Sequence, residues 1–396
     1  MKPLRVGIVC DFVEEGWHSM DLIGDMLMEM LPAVAGGEVE AVQLRPRMRR
    51  RCSRLPVIGA RAAIADRLAG RLWDYPRWIA PRVRDFDAFH IVDHSYAHLM
   101  RVLPAERTIV TCNDLDAIQA ALPGAASRLG LLAPGRLLAS RVLDGLTRAS
   151  HVACISEATR SELLATGRID SNRTSVVRLG VHPGCSPGPV AQWDAEIAAR
   201  LGPPRFEMLH VGSTIARKRI DVLLEALRGL QHLPGGVRLV RVGGALTPAQ
   251  RALAQKLGVR DAIVELPFLE RPVLAALYRR ASVVVLPSDR EGFGLPVAEA
   301  MACGTPVVAS AIPALREVGG DAAIYCPPGD PAAWIASITD LWKELQTGAA
   351  GRARRRDACI AAAARFDWAR YAAEMTQRYL STVGRDSSCA LHRENA

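Results

Sequence analysis

No window of this 396-residue chain approaches the roughly 20 consecutive apolar residues that a membrane-spanning helix needs, although 49% of its residues are hydrophobic. The apolar run before Asp11 is also too short for a secretory signal, so the chain is expected in the cytoplasm, at most peripheral at the inner face of a membrane. Nine cysteines, at 10, 52, 112, 154, 185, 303, 326, 359 and 389, form no C-x-x-C pair. An odd number at such spacings argues against a disulfide framework or a zinc site and predicts reduced thiols packed as small apolar residues. His94 and His98 stand four apart, but the glutamate and third ligand of a zinc-hydrolase motif are missing, so no metal is expected.

Charge is unevenly placed. Between Arg45 and Arg84 twelve arginines face only Asp66 and Asp74, a balance of +10 that leaves −1 for the rest of a chain whose net charge is +9. No recognised nucleic-acid module contains this segment, so nucleic acid is not an expected partner. Ile64, Leu68 and Leu72 recur every four residues beside Arg67 and Arg71, and Trp73, Tyr75 and Trp78 follow. Together with Arg49, Arg50, Arg51 and Arg54 they suit an anionic lipid surface or an acceptor. A solvated basic face on an ordinary core helix fits the same pattern.

The most informative stretch is SVVVLPSDREGFGLPVAEAMACGTPVVAS, Ser282 to Ser310. Its short β-branched start reads as an interior parallel strand. Gly292 and Gly294 permit a tight turn, Pro296 suits the opening of a helix, and Gly304 with Pro306 ends it. A glycine loop opening a helix is a ready anion site. Glu291 and Glu299 place one carboxylate beside that site and one behind it, an arrangement that suits a sugar nucleotide.

This run resembles the donor-site signature of the family 4 glycosyltransferases, two glutamates eight positions apart in EGFGLPVAE. The resemblance implies that Glu291 contacts the transferred sugar, that Glu299 holds the ribose hydroxyls, and that amides of Gly292, Phe293, Gly294 and Leu295 face the diphosphate. Arg217 and Lys218, at a loop-to-helix junction after the strand of FEMLHVGST, can clamp that diphosphate. Family members often carry an arginine where Ser213 stands. In the loop after the first strand they usually carry a glycine pair, of which only Gly16 remains, beside a Trp17 that equally suits a cap on the core. Where the family commonly has histidine then aspartate, this chain has Asn113 then Asp114. His94 lies at the carboxyl end of a strand, where open α/β sheets place their ligands, and is a further candidate for a substrate contact. Asp114, Leu115 and Asp116 also match the D-x-D of metal-dependent glycosyltransferases of another fold.

Strand and helix alternate along both halves, which requires parallel sheets with crossover helices. The expected fold class is therefore α/β, two Rossmann-like domains of the GT-B type, with the donor site in the interdomain cleft. The expected divisions are 1–184 for an acceptor domain, 185–204 for a linker, 205–365 for a nucleotide-sugar domain, 366–381 for a helix crossing back to the first domain, and 382–396 for a disordered tail. The resemblance implies a retaining, metal-independent hexosyltransferase without a cofactor. It would move sugar from a nucleotide-diphosphate sugar to a glycan or lipid-linked acceptor in surface polysaccharide or glycolipid biosynthesis. A sugar-nucleotide epimerase of the same fold and a non-catalytic sugar-nucleotide-binding subunit are the alternatives.

Overall fold

The computed structural model of the chain describes residues 2–52, 59–116, 118 and 133–385. The chain forms two compact units, Met1–Gly180 with Trp368–Ala396, and Val181–Asp367.

Unit 1 begins with β1 (Leu4–Val9), α1 (His18–Val34) and β2 (Val39–Leu44). Then come α2 (Gly59–Ala69), a π turn over Gly70–Asp74 and α3 (Tyr75–Ile79). It continues with β3 (Ala88–Ile91), β4 (Thr108–Cys112), α4 (Ala133–Arg148), β5 (His151–Cys154), α5 (Glu157–Ala165) and β6 (Thr174–Val176). Its six strands are all parallel in the order β2-β1-β3-β4-β5-β6. Every residue of β3 and β4 is buried, as a sheet covered on both faces requires.

Unit 2 opens with α6 (Ala191–Leu201) and then alternates β7 (Phe206–Val211), α7 (Ile220–Leu230), β8 (Val237–Val242), α8 (Pro248–Lys256), β9 (Ile263–Leu266), α9 (Arg271–Arg280) and β10 (Val283–Leu286). It closes with α10 (Leu295–Ala302), β11 (Val307–Ser310), α11 (Pro313–Gly319), β12 (Ile324–Cys326), α12 (Pro331–Gln346) and α13 (Ala349–Ala363). Its strands are again all parallel, in the order β12-β11-β10-β7-β8-β9. Ile220, Leu223, Leu224 and Leu227 of α7 are buried, as their spacing predicts. The segment expected as a linker, 185–204, lies in this unit. It forms a helix because Ile197 and Leu201 find the core and Asp194 accepts from Arg279 at 2.6 Å.

The chain returns to unit 1 as α14 (Trp368–Thr382). The Tyr379 hydroxyl lies 2.7 Å from Nδ1 of His90, and that of Tyr371 lies 3.3 Å from Oγ1 of Thr111, so buried polar groups of the sheet are satisfied by this helix. The helix reaches Thr382, and residues 386–396 of the expected tail lie outside the described residues.

In each sheet the direction of winding reverses once, between β1 and β3 in unit 1 and between β7 and β10 in unit 2. Such switch points leave a crevice at the carboxyl ends of the strands, where α/β proteins bind their ligands.

Candidate functional site

At the unit 2 switch point two glycine turns lie backbone to backbone. Gly212 follows β7 and Gly243 follows β8, and a Cβ added to Gly243, whose φ is 114°, would fall 2.4 Å from the Gly212 carbonyl oxygen. The chain then makes a short 3-10 turn over Ala216–Lys218 and passes through Arg219 at φ 45°, the one non-glycine in the left-handed region among the described residues. Ion pairs from Arg219 to Asp221 at 2.8 Å and to Asp289 at 3.0 Å hold that unfavourable backbone in place. Arg217 and Lys218 are thereby delivered to the loop after β10.

Glu291 is the centre of that loop. Lys218 Nζ and Ser288 Oγ each donate to its Oε1 at 2.6 Å, and Arg217 donates to Oε2 at 3.2 Å. Arg217 also donates to the Arg290 carbonyl at 2.8 Å. Burial alone raises the Glu291 pKa, but the adjacent Lys218 and Arg217 outweigh it and hold the carboxyl below its ordinary range. A carboxylate is thus kept ionised beside two cations at the mouth of the glycine loop. Ser213, in the turn after Gly212, is half-buried and brings no charge of its own.

The glycine loop is fixed by sterics. Gly294 has φ 106°, and a Cβ there would fall 2.6 Å from Leu315. The Phe293 ring is buried edge-on against Phe366, with centroids 5.3 Å apart, and half-buried Gly292 precedes it. Leu295 and Pro296 begin α10, as expected. Glu299, on α10, accepts from the Tyr278 hydroxyl at 2.8 Å and lies 3.6 Å from Arg271. Its burial raises the pKa against the pull of Arg271 and Tyr278.

The sign for stability follows. A carboxyl whose pKa rises on folding contributes stability below its unfolded value and loses it as pH climbs through the folded one. Glu299 is therefore destabilising at neutral pH, and Glu299→Gln is expected to raise the melting temperature at pH 7 but not at pH 4. If Glu299 holds ribose hydroxyls, the same variant should lose about 10-fold or more in donor affinity, the scale of a hydrogen bond to a charged group. Thermal scans at the two pH values and a donor titration check both halves.

At the unit 1 switch point Asn113, Asp114 and His94 are brought together. His94 Nδ1 accepts from the Asn113 amide at 3.3 Å, and its Nε2 lies 3.4 Å from Asp114. Burial disfavours the charged imidazole, but Asp114, Asp93 and Asp116 outweigh it and raise the pKa. The Asn113 side chain donates to the Val92 carbonyl at 3.1 Å and reaches Met20 Sδ at 2.9 Å, so it points into the unit. Gly16 closes a 3-10 turn at φ 71°, and a Cβ there would meet nothing, so it serves backbone geometry rather than close approach. His98 is purely structural, with its two ring nitrogens on the carbonyls of Arg71 and Ser95.

Sequence reasoning missed Asp11 and Asp93. Each lies two residues beyond a strand, and the β1 to β3 register, Val9 opposite Ile91, sets them side by side. Both are buried, and burial next to Asp93 raises the Asp11 pKa well above the ordinary range. Their position just past adjacent strand ends was the available signal.

The basic segment divides. Arg49 and Arg50 are exposed, Arg51 makes a two-pronged pair with Asp74 at 2.6 and 2.7 Å, and Arg54 lies outside the described residues. Arg67, largely exposed, approaches Glu15 at 3.7 Å. Arg71 is not a surface residue: it is 7% exposed, pairs with Glu15 at 2.8 and 2.5 Å and lies 4.3 Å over the Tyr96 ring. Tyr75 is likewise core, its hydroxyl donating to the carbonyls of Cys10 and Leu44. The extra residue in the π turn rotates the helix face. Up to the start of that turn the buried stripe is Ala62, Asp66 and Gly70, with Ile64 already outward, and from there onward the stripe is Arg71, Tyr75 and Ile79, with Trp73 outward.

Residues 205–344 match the family model described as glycosyl transferases group 1. A D-inositol 3-phosphate glycosyltransferase of Xylanimonas cellulosilytica is 39% identical over 228 residues, 54% of this chain and 53% of that protein. An O-antigen chain mannosyltransferase B of Escherichia coli is 30% identical over 229 residues, 54% of this chain and 58% of that protein. The chain thus spans about half the length of the curated relatives it matches. Among solved structures, the sucrose-phosphate synthase of Thermosynechococcus elongatus covers 96% of this chain and 98% of its own, with TM-score 0.70 and 19% identity. An Anabaena protein crystallised with UDP and glucose covers 96% of this chain and 99% of its own at TM-score 0.70 and 16% identity. These likenesses bear out the expected fold, two parallel α/β sheets of the GT-B class. Residues 205–344, the segment that holds the glycine loop with Glu291 and Glu299, are thus similar to the glycosyl transferases group 1 family.

Proposed function

We propose that the chain is a retaining glycosyltransferase that moves a hexose from a nucleotide-diphosphate sugar to a glycan or lipid-linked acceptor of surface polysaccharide or glycolipid synthesis. The observation that carries the reading is the Glu291 cluster: a carboxylate gripped by Lys218, Arg217 and Ser288 at the head of a glycine loop, within the segment that matches the family. Two cations beside that loop suit a departing diphosphate, whose charge grows as the sugar bond breaks. Glu291 takes the hydroxyls of the transferred sugar and Glu299 those of the ribose. In unit 1, His94 and Asp114 are the candidates for holding the acceptor, and Asn113, whose side chain is engaged by Val92 and Met20, acts by holding His94 through its backbone amide.

The test is transfer. Labelled nucleotide sugars incubated with the protein and a bacterial lipid extract should pass label to the lipid fraction with retained anomeric configuration. An inverted product overturns retention, and interconversion of one nucleotide sugar into another would favour the epimerase.

Because Lys218 and Arg217 supply the charge opposite the diphosphate, activity should persist within about twofold in excess chelator, well under the tenfold that 1.4 kcal/mol represents. Loss in chelator with recovery on manganese would transfer the role to Asp114 and Asp116.

A peripheral membrane site belongs to the same proposal, carried by exposed Trp73 and Ile64, by Arg77 stacked 3.1 Å over the Trp73 ring, and by exposed Arg49 and Arg50. Each basic residue near an anionic surface contributes about 1 kcal/mol. Replacing Arg49, Arg50 and Arg77 by glutamine is therefore expected to cut cosedimentation with phosphatidylserine vesicles by about 10-fold or more, and high salt should do the same. Equal recovery of wild type and variant contradicts membrane docking.

A further inference from the structure

Arg241 lies in the interior of β8, opposite His210 of β7, and neither residue has measurable exposure. Its Nη2 donates to the Gly212 carbonyl at 2.8 Å and its Nε to His210 Nδ1 at 3.4 Å, while Nη1 has no partner. No described carboxylate is in ion-pair contact with it. The acid that acts on it electrostatically, Glu265, is instead occupied by Arg260 at 2.8 Å and by the Leu246 amide at 2.6 Å. Burying a guanidinium without a counter-ion costs several kcal/mol, and the orphan Nη1 adds a desolvated donor. A fold-only role would be filled more stably by an apolar side chain.

The surroundings say what the charge faces. His210 accepts from Arg241, so its own proton sits on Nε2, which also lacks a partner. Burial, Arg241 and Lys218 all keep that imidazole neutral. A Cβ placed on Gly212 would lie 3.4 Å from His210 Cε1 and 3.8 Å from Lys218 Nζ. Arg241, His210 and Lys218 therefore surround one glycine turn, the turn whose carbonyl Arg241 holds. We propose that Arg241 is a positioning residue for an anion at this turn, holding the Gly212 carbonyl inward and supplying buried positive charge behind the diphosphate of the donor. The inference rests on the donor-site reading given above and adds to it a residue from mid-strand. On this proposal the charge that Ser213 does not bring is supplied from β8.

Binding of inorganic pyrophosphate and of UDP, GDP and ADP to wild type, Arg241→Lys, Arg241→Gln and Arg241→Met by calorimetry tests this, alongside melting temperatures. Glutamine, whose amide nitrogen stands where Arg241 Nε does, keeps a donor toward His210 but loses both the charge and the reach to Gly212, so the lysine variant, which restores the charge, isolates the charge. Expected are a loss of at least tenfold in pyrophosphate affinity for glutamine and methionine, retention within about threefold for lysine, and a melting temperature for methionine equal to or above wild type. If the methionine variant does not fold, the glutamine and lysine pair carries the comparison. Wild-type binding that survives unchanged in Arg241→Gln overturns this inference alone. Failure of wild type to bind pyrophosphate or any of the nucleotides overturns the donor-site reading and this inference with it.

Discussion

Glu291→Gln is expected to lower turnover by about 10²–10³-fold, the cost of removing one aligned electrostatic contact to a transition state, while donor affinity stays equal or tightens. The carboxylate is held ionised by Lys218, Arg217 and Ser288, so its geometry is set before substrate arrives. A contact to a sugar whose bond is breaking strengthens on the way to the transition state and appears in kcat rather than in binding. Neutralising it also releases Lys218 and Arg217 toward the diphosphate, which is why affinity should not fall. Unchanged kcat, or a loss confined to donor affinity, would remove Glu291 from the reacting centre. Stability should respond to pH in the opposite sense from Glu299. A carboxyl depressed on folding contributes above its unfolded value and loses that contribution as pH falls through the folded one.

Glu15→Ala is expected to destabilise the protein by about 3–5 kcal/mol, because it leaves the Arg71 guanidinium buried without its partner. Arg71→Met with Glu15→Leu should recover most of that loss, since a well-packed apolar pair costs less than a broken ion pair. Urea unfolding of the two variants separates the outcomes. A loss below about 1 kcal/mol for the single change, the scale of an exposed pair, would return Arg71 to the surface set with Arg67. The same variants should leave vesicle binding unaltered.

How much of this was legible depended on whether the information was local. The β10, glycine loop, α10 and β11 run reads correctly because each part obeys a short-range rule: β-branched residues in a strand, Gly294 at positive φ, Pro296 in the first turn. Arg217 and Lys218 were legible as loop residues after a strand. Their grip on Glu291, 74 and 73 positions away, was not, because only the β7 to β10 pairing sets it. Arg71 and Tyr75 were misplaced for a local reason, since one extra residue in the π turn shifts the buried face of an otherwise regular periodicity. Asp11, Asp93 and Arg241 carry no motif. They become meaningful only when strand register places them next to one another or next to Gly212.

The most direct measurement is a calorimetric titration of a panel of UDP-, GDP-, ADP- and TDP-sugars into wild type and Lys218→Ala. Lys218 pairs with Glu291 at 2.6 Å and lies against the Gly212 turn, so it should contact the diphosphate whatever the base. At least one nucleotide sugar is predicted to bind wild type, with affinity falling by about 10-fold or more in the variant, as expected for a charge-assisted hydrogen bond. Wild type that binds no member of the panel, or a folded Lys218→Ala that binds its ligand as wild type does, would contradict the assignment of this site to a nucleotide-diphosphate sugar.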